Sequence, residues 1–207
     1  MSPNTAAATF ASPAARDYVV KNYEADKGMR QTLTRLDEEL SKMTTEHPPF
    51  IISRTFKAPR DLMWKAWTEK ERMSQWFGPK GTTTTYTKFD LRPGGMSHYK
   101  MLTADGHTMW GKAVYREIVP QDKLVWVTSF SDEHGGTTTH PMAPTWPKEM
   151  LTTVTFTEHQ GQTTVTVRWE AINASPEEHK TFDTSHQGMN GGWSGTFEQL
   201  AEYLKNA

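Results

Sequence analysis

The chain has 207 residues, 23 basic against 24 acidic side chains, a net charge of -1 and no cysteine. This balance, without a run of about five like charges, argues against a nucleic-acid partner or an anionic membrane surface, and the missing cysteine removes disulfides, thiolate nucleophiles and Cys-ligated metals. No stretch of about 18 apolar residues could span a bilayer, and the Ala-rich start lacks the basic and Leu-rich parts of a signal peptide, so the expectation is a cytoplasmic protein with no membrane partner.

Residues 1–15, rich in Ala, Ser, Thr and Pro, read as a mobile start. Asp17 to Met43 carries Val20, Leu33, Leu36, Leu40 and Met43 at helical spacing, which predicts one helix or two broken near Gly28. His47-Pro48-Pro49 cannot continue a helix, because proline lacks the N–H donor; a domain boundary is placed there, giving an extension over 1–46 and a domain over 47–207. Phe50 to Ala58 reads as a strand. Two short helices follow, with Leu62, Trp64, Trp67, Met73, Trp76 and Phe77 as their apolar stripe and Gly78-Pro79 as their end.

From Thr82 to Ile172 the period changes to two, with β-branched and aromatic residues throughout. Turns are predicted at Arg92-Pro93-Gly94-Gly95, Ala104-Asp105-Gly106, Pro120-Gln121-Asp122 and Gln160-Gly161-Gln162, so six strands form an antiparallel meander. Along the last strand Val165, Val167 and Trp169 share one face and Thr164, Thr166 and Arg168 the other; Arg168 and Glu170 are expected on opposite faces rather than paired. By the same alternation Tyr99 and Met101 point inward and His98 outward. The dry face needs a cover. Ser175-Pro176-Glu177-Glu178 has the residues of a helix start, and Met189, Trp193, Phe197, Leu200 and Leu204 recur at spacings of 4, 4, 3 and 4, predicting one long covering helix.

Five segments in this order carry a resemblance: RTFKAPRDLMWKAWTEKERMSQWFGP from Arg54, DLRPGGMSHYKM from Asp90, WGKAVYREIVPQDKLVWVTSF from Trp110, HPMAPTWP from His140, and GGWSGTFEQLAEYL from Gly191. The chain resembles the START and birch-pollen-allergen-like (SRPBCC) helix-grip superfamily, in particular the bacterial branch of the activator of heat-shock-protein-90 ATPase homologues. That resemblance implies an α+β fold in which a curved antiparallel sheet wraps a long C-terminal helix around an apolar cavity. It turns Trp126, Phe130, Trp169, Met189, Trp193 and Phe197 toward the space between sheet and helix. With Trp76, Tyr99, Met101, Trp110 and Trp146 they form the candidate ligand-binding set for a hydrophobic or amphipathic small molecule. Filled core is the other reading of the same residues, and the two differ in volume rather than in residues. The resemblance also admits a cyclase-like or hydrolase-like enzyme using the cavity, and docking on a heat-shock ATPase.

The loop Ser131 to Pro147 is long for a connection and is read as a gate, with Trp146 as a plug and Met142 beside it, or as a surface loop pinned by its prolines. Asp132, Glu133, His134 and His140 lack the spacing of a metal site. His98, Tyr99, Glu117, Asp183 and His186 are the candidate acids and bases, but no triad or GxSxG elbow organises them; no catalytic residue, metal or cofactor is assigned. Finally, the closing segment GGWSGTFEQLAEYLKNA is echoed by KGMRQTLTRLDEELSKM at Lys27 to Met43. Residues 10–43 thus read as the remnant of a first grip domain, whose amphipathic helix is expected to pack on the outer face of the domain or on the same surface of a second molecule, as a dimerisation arm. Trp193 beside the small residues Ser194 and Gly195, which the echo lacks, is read as the cavity-facing part of the helix.

Overall fold

The computed structural model describes residues 47–207; the predicted N-terminal helix, its echo of the closing segment and the dimerisation arm lie outside the described residues. Strand β1 (Phe50–Phe56) leads into helices α1 (Arg60–Thr68) and α2 (Lys70–Met73). Strands β2 (Thr83–Phe89), β3 (Met96–Leu102), β4 (Thr108–Val119), β5 (Lys123–Ser131), β6 (Glu149–His159) and β7 (Gln162–Ile172) follow, then helices α3 (Pro176–Thr184) and α4 (His186–Lys205). The sheet is antiparallel throughout, in the order β1-β7-β6-β5-β4-β3-β2. It is therefore a meander whose far edge is completed by the first strand.

Local chemistry sets these joints. Gln160 and Gly161 both have positive φ, at 50° and 72°, and join His159 to its partner Gln162 in the tight hairpin whose twist suits antiparallel strands. Gly95 has no alternative, because a Cβ there would lie 2.2 Å from the Asp90 carbonyl oxygen. At Ser175 a full capping box forms: the Ser175 hydroxyl accepts the Glu178 N–H at 3.3 Å and the Glu178 carboxylate accepts the Ser175 N–H at 2.7 Å. The expected single C-terminal helix is two, interrupted at Ser185. Thr181, Thr184 and Ser185 all bond back to carbonyls of the preceding turn, Ser185 Oγ donating to Thr181 O at 2.6 Å, and such side-chain bonds compete with the helical ladder.

The interior has a solid half and a hollow half. On the solid side Met63, Trp67 and Trp76 of the helical segment meet Phe56, Phe156, Val154, Val165, Val167, Phe197 and Leu200, all buried. Trp67 lies edge-on to Phe156 at 5.7 Å and tilted on Trp76 at 4.8 Å. Trp193 of α4 stands at the divide, stacked on Trp67 at 6.4 Å on one side and edge-on to Trp169 at 5.5 Å on the other. Arg168 and Glu170 correct the sequence expectation. Residues two apart on a strand share a face, and here Arg168 donates two bonds to the Glu170 carboxylate, at 2.9 and 2.8 Å.

Candidate functional site: a cavity between sheet and helix

Between the sheet and α4 lies a cavity of about 240 Å³. Its floor comes from inward rows of the sheet. Register sets Tyr99 opposite Gly111 and Gly111 opposite Phe130; the next row runs Ser97, Ala113, Thr128, Met150 and Ala171. Small residues in those rows make the hollow. A Cβ at Gly111 would sit 2.8 Å from the Tyr99 ring, so the missing side chain lets that ring lie against the sheet instead of across the cavity. Met189, Gly192, Trp193 and Thr196 of α4 form the opposite wall, and Phe77, Gly78 and Pro79 close one end.

That end is tied to the helix by polar contacts. The Gly78 carbonyl accepts the Thr196 hydroxyl at 2.9 Å and the Gln199 amide at 2.6 Å, which fixes how far α4 stands from the β2 side of the sheet. On the floor, Thr128 Oγ1 accepts Trp126 Nε1 at 2.8 Å and bonds Thr152 Oγ1 at 2.9 Å. Tyr99 and His140 are the titratable side chains bordering the cavity among the described residues. Burial pushes the Tyr99 hydroxyl well up and the His140 imidazole down, so near pH 7 both favour their neutral forms. Tyr115, deeper in, is pushed up to about 12 by burial although its hydroxyl bonds Ser97 at 2.8 Å.

Of the candidate ligand-binding residues, Tyr99, Met101, Trp110, Trp126, Phe130, Trp169, Met189 and Trp193 border the cavity. Three do not. Trp76 is in the solid half, its indole donating to Ala66 O at 3.0 Å. Phe197 packs edge-on against Phe56 at 5.6 Å, one turn beyond the cavity. Trp146 lies against Phe182 and His140, outside the cavity wall. Trp110 borders the cavity, yet its ring stacks on His98 at 4.9 Å, on the sheet face opposite Tyr99. Within the long loop it is His140, edge-on to Phe130 at 4.6 Å, that reaches the cavity, whereas Met142 is 82% exposed. Gly195 also departs from expectation: its Cα faces Lys80, and Gly192 takes the place at the wall.

The candidate acids and bases disperse. Both His98 ring nitrogens are engaged, with Thr87 Oγ1 at 2.8 Å and Asp132 O at 3.0 Å, on the outer face. Glu117 pairs with Lys123 at 2.9 Å and Asp183 with His47 at 2.8 Å. Asp132 serves its own loop, accepting the N–H groups of Gly136 and His134, and these bonds hold its carboxyl below the usual range. Among the described residues no cluster of His, Asp and Glu has the geometry of a metal site. Nor is any described helix long and apolar enough to cross a membrane. Phe77, Met109, Gly111, Thr128, His140, Met150, Gly192 and Thr196 are wall residues that the sequence reading missed. Period-two alternation from Trp126 and Phe130 was the available signal for Thr128; none marked His140.

The same fold occurs in solved structures of bacterial proteins. One from Mycobacterium smegmatis is 24% identical with a TM-score of 0.63, over 75% of this chain and 90% of that one. One from Arthrobacter aurescens is 23% identical with a TM-score of 0.66, over 78% and 88%. One from Staphylococcus epidermidis is 26% identical with a TM-score of 0.60, over 78% and 92%. No curated protein matches the sequence. Residues 57–205 match the family described as Activator of Hsp90 ATPase homolog 1-like protein, covering every strand from β2 to β7 and both closing helices, and the chain belongs to that family with its helix-grip fold.

Proposed function

We propose that the domain binds a hydrophobic small molecule in the cavity between the sheet and α4. The observation that carries this reading is the volume of about 240 Å³ walled by Met, Trp, Phe and Tyr side chains, in an interior that is otherwise closely packed. An apolar cavity of about 150 Å³ accommodates benzene, so in proportion this one takes roughly ten heavy atoms. That is a compact ring system rather than a long acyl chain. A binding role is favoured over acid–base catalysis because, among the described residues, no carboxylate or lysine joins Tyr99 and His140 at the wall, and the other candidate acids and bases lie elsewhere.

Trp126, Trp169 and Trp193 border the cavity, so its filling changes indole fluorescence. Native mass spectrometry of the freshly purified protein, followed by titration with indane, tests the proposal. A retained adduct, or saturable quenching at one equivalent, is expected. A single bare mass together with a flat titration up to the solubility limit of indane would rule the proposal out.

A further inference from the structure

Tyr99 brings an unpaired hydroxyl to the cavity. The residue is only 8% exposed, and its hydroxyl has no hydrogen-bond partner among the described residues. Yet that oxygen is not sealed in. The enclosed polar atoms without a partner include Tyr86 Oη and the indole nitrogens of Trp67, Trp146, Trp169 and Trp193, and Tyr99 Oη is not one of them. A Cβ on Gly111 would lie 2.8 Å from Tyr99 Oη, so the hydroxyl rests over Gly111, itself a wall residue. The other hollow that Tyr99 borders holds about 10 Å³, too little for more than one water. The surface left to the hydroxyl therefore belongs to the larger cavity.

The remaining polar side chains of the wall are committed or lie off the floor. Thr128 Oγ1 bonds Trp126 and Thr152, and Thr196 Oγ1 donates to the Gly78 carbonyl. Ser129 is paired in register with Lys112 and alternates with Phe130, so its hydroxyl falls on the sheet face away from Tyr99. His140 Nδ1 accepts the Met142 N–H at 3.0 Å, which leaves Nε2 unpaired on the loop side of the cavity. Burial keeps the Tyr99 hydroxyl protonated, so it has a proton to offer. A hydrocarbon in the cavity would strip water from this hydroxyl and return no bond, whereas an acceptor oxygen restores it.

We propose that Tyr99 selects the ligand, a compact ring compound whose acceptor oxygen, carbonyl or carboxylate, lies over Gly111 and accepts a hydrogen bond from the Tyr99 hydroxyl. This rests on the binding role proposed above and adds the polar group the occupant carries and the side chain that reads it. The two oxygens differ in what they ask of His140. A ketone asks nothing, whereas a carboxylate buried here needs a cation, which protonated His140 supplies.

Indane, 1-indanone and indane-1-carboxylate, titrated by calorimetry into the full chain and into its Tyr99→Phe variant, test this. In the parent at least one oxygenated probe should bind roughly two- to tenfold tighter than indane, and Tyr99→Phe should bring that ratio close to one. The carbonyl stretch of 1-indanone bound to the parent should also fall below its value in an alkane, which reads the hydrogen bond even if the variant does not fold. Acidity separates the two oxygens. From about pH 8 to about pH 6 the ketone ratio should stay constant, whereas a preferred carboxylate should bind tighter on acidification and lose that gain in His140→Gln. A ratio of one in the parent, or a ratio that Tyr99→Phe leaves intact, overturns the inference while the cavity still binds. If none of the three binds up to its solubility limit, the binding role fails and this inference with it.

Discussion

Gly192 offers the sharpest test of the cavity, because it separates helix stability from room for a ligand. It lies inside α4 and borders the cavity, and a Cβ built on it meets no atom within 4 Å. Glycine within a helix costs about 0.5–1 kcal/mol relative to alanine. Gly192→Ala should recover that amount, which for a domain of this size raises Tm by roughly 1–4 °C. Gly192→Leu adds three more carbons to an apolar hollow at up to about 0.8 kcal/mol each, so it should melt higher still. The same isobutyl group takes the space a ligand would use, and affinity for indane should fall at least about tenfold by fluorescence titration. Two neighbours serve as controls. Gly191 is exposed, so Gly191→Ala should gain the helical increment with affinity unchanged. At Gly195 a Cβ would come within 3.3 Å of the Lys80 backbone nitrogen, so alanine there should gain little or lose. A Gly192→Leu protein that melts below Gly192→Ala, or that binds indane as the parent does, would refute the reasoning.

Trp193→Ala should cost about 3–5 kcal/mol in chemical denaturation, since Trp193 is only 6% exposed and touches Trp67, Trp169 and Phe197; a loss below about 1 kcal/mol would mean that it faces open space. His140 should make stability depend on acidity: burial depresses its folded pKa below 6.5, so its contribution is present above about pH 6.5 and is lost as pH falls through the lower folded value. The difference in Tm between the parent and His140→Gln, followed from about pH 7 to pH 5, should therefore move against the parent on acidification; a constant difference contradicts this. Ser175→Ala removes one half of the capping box and should cost about 1 kcal/mol, whereas Ser175→Asp should be nearly neutral, both read from denaturant midpoints. Removal of residues 1–46 tests the dimerisation arm: light scattering should show fewer chains per particle than for the full chain, and an unchanged number of chains with unchanged Tm argues against the arm.

The fold was largely legible because period carries it. Alternation along Val165, Val167 and Trp169 and the stripe through Met189, Trp193 and Phe197 each state which face is dry, and the structure buries those faces. The capping box at Ser175 was readable for the same reason, being a local pattern. Where the reading failed, the deciding contact was not periodic. Trp76 and Phe197 have the inward phase of wall residues, but phase tells which side a residue faces and nothing about which half of the interior is filled. Trp146 was read as a plug from the length of its loop; the loop instead turns Trp146 onto Phe182 and sends His140 to the cavity, a choice made by tertiary packing. Arg168 and Glu170 were misread against the strand period itself, which pairs them.

An aromatic-rich interior would be expected to collapse onto any void, and the polar ties of α4 to Gly78 explain why this one stays open. Packing across the divide is set by flat rings, with Trp193 held between Trp67 and Trp169. Closing the cavity would require α4 to move toward Gly111 and Thr128. That movement is opposed where Thr196 and Gln199 hold the Gly78 carbonyl. Collapse would thus forfeit hydrogen bonds worth about 0.5–1.5 kcal/mol each and unstack Trp193 from Trp67. Glycine at 111 and 192 belongs to the same arrangement: each omits the side chain that would otherwise put a neighbour, or itself, into the hollow. A sequence selected for packing alone would place alanine or leucine at 192 and gain stability. Glycine at 192, the α4 glycine that borders the cavity, therefore weighs toward a cavity maintained at the expense of the helix that covers it.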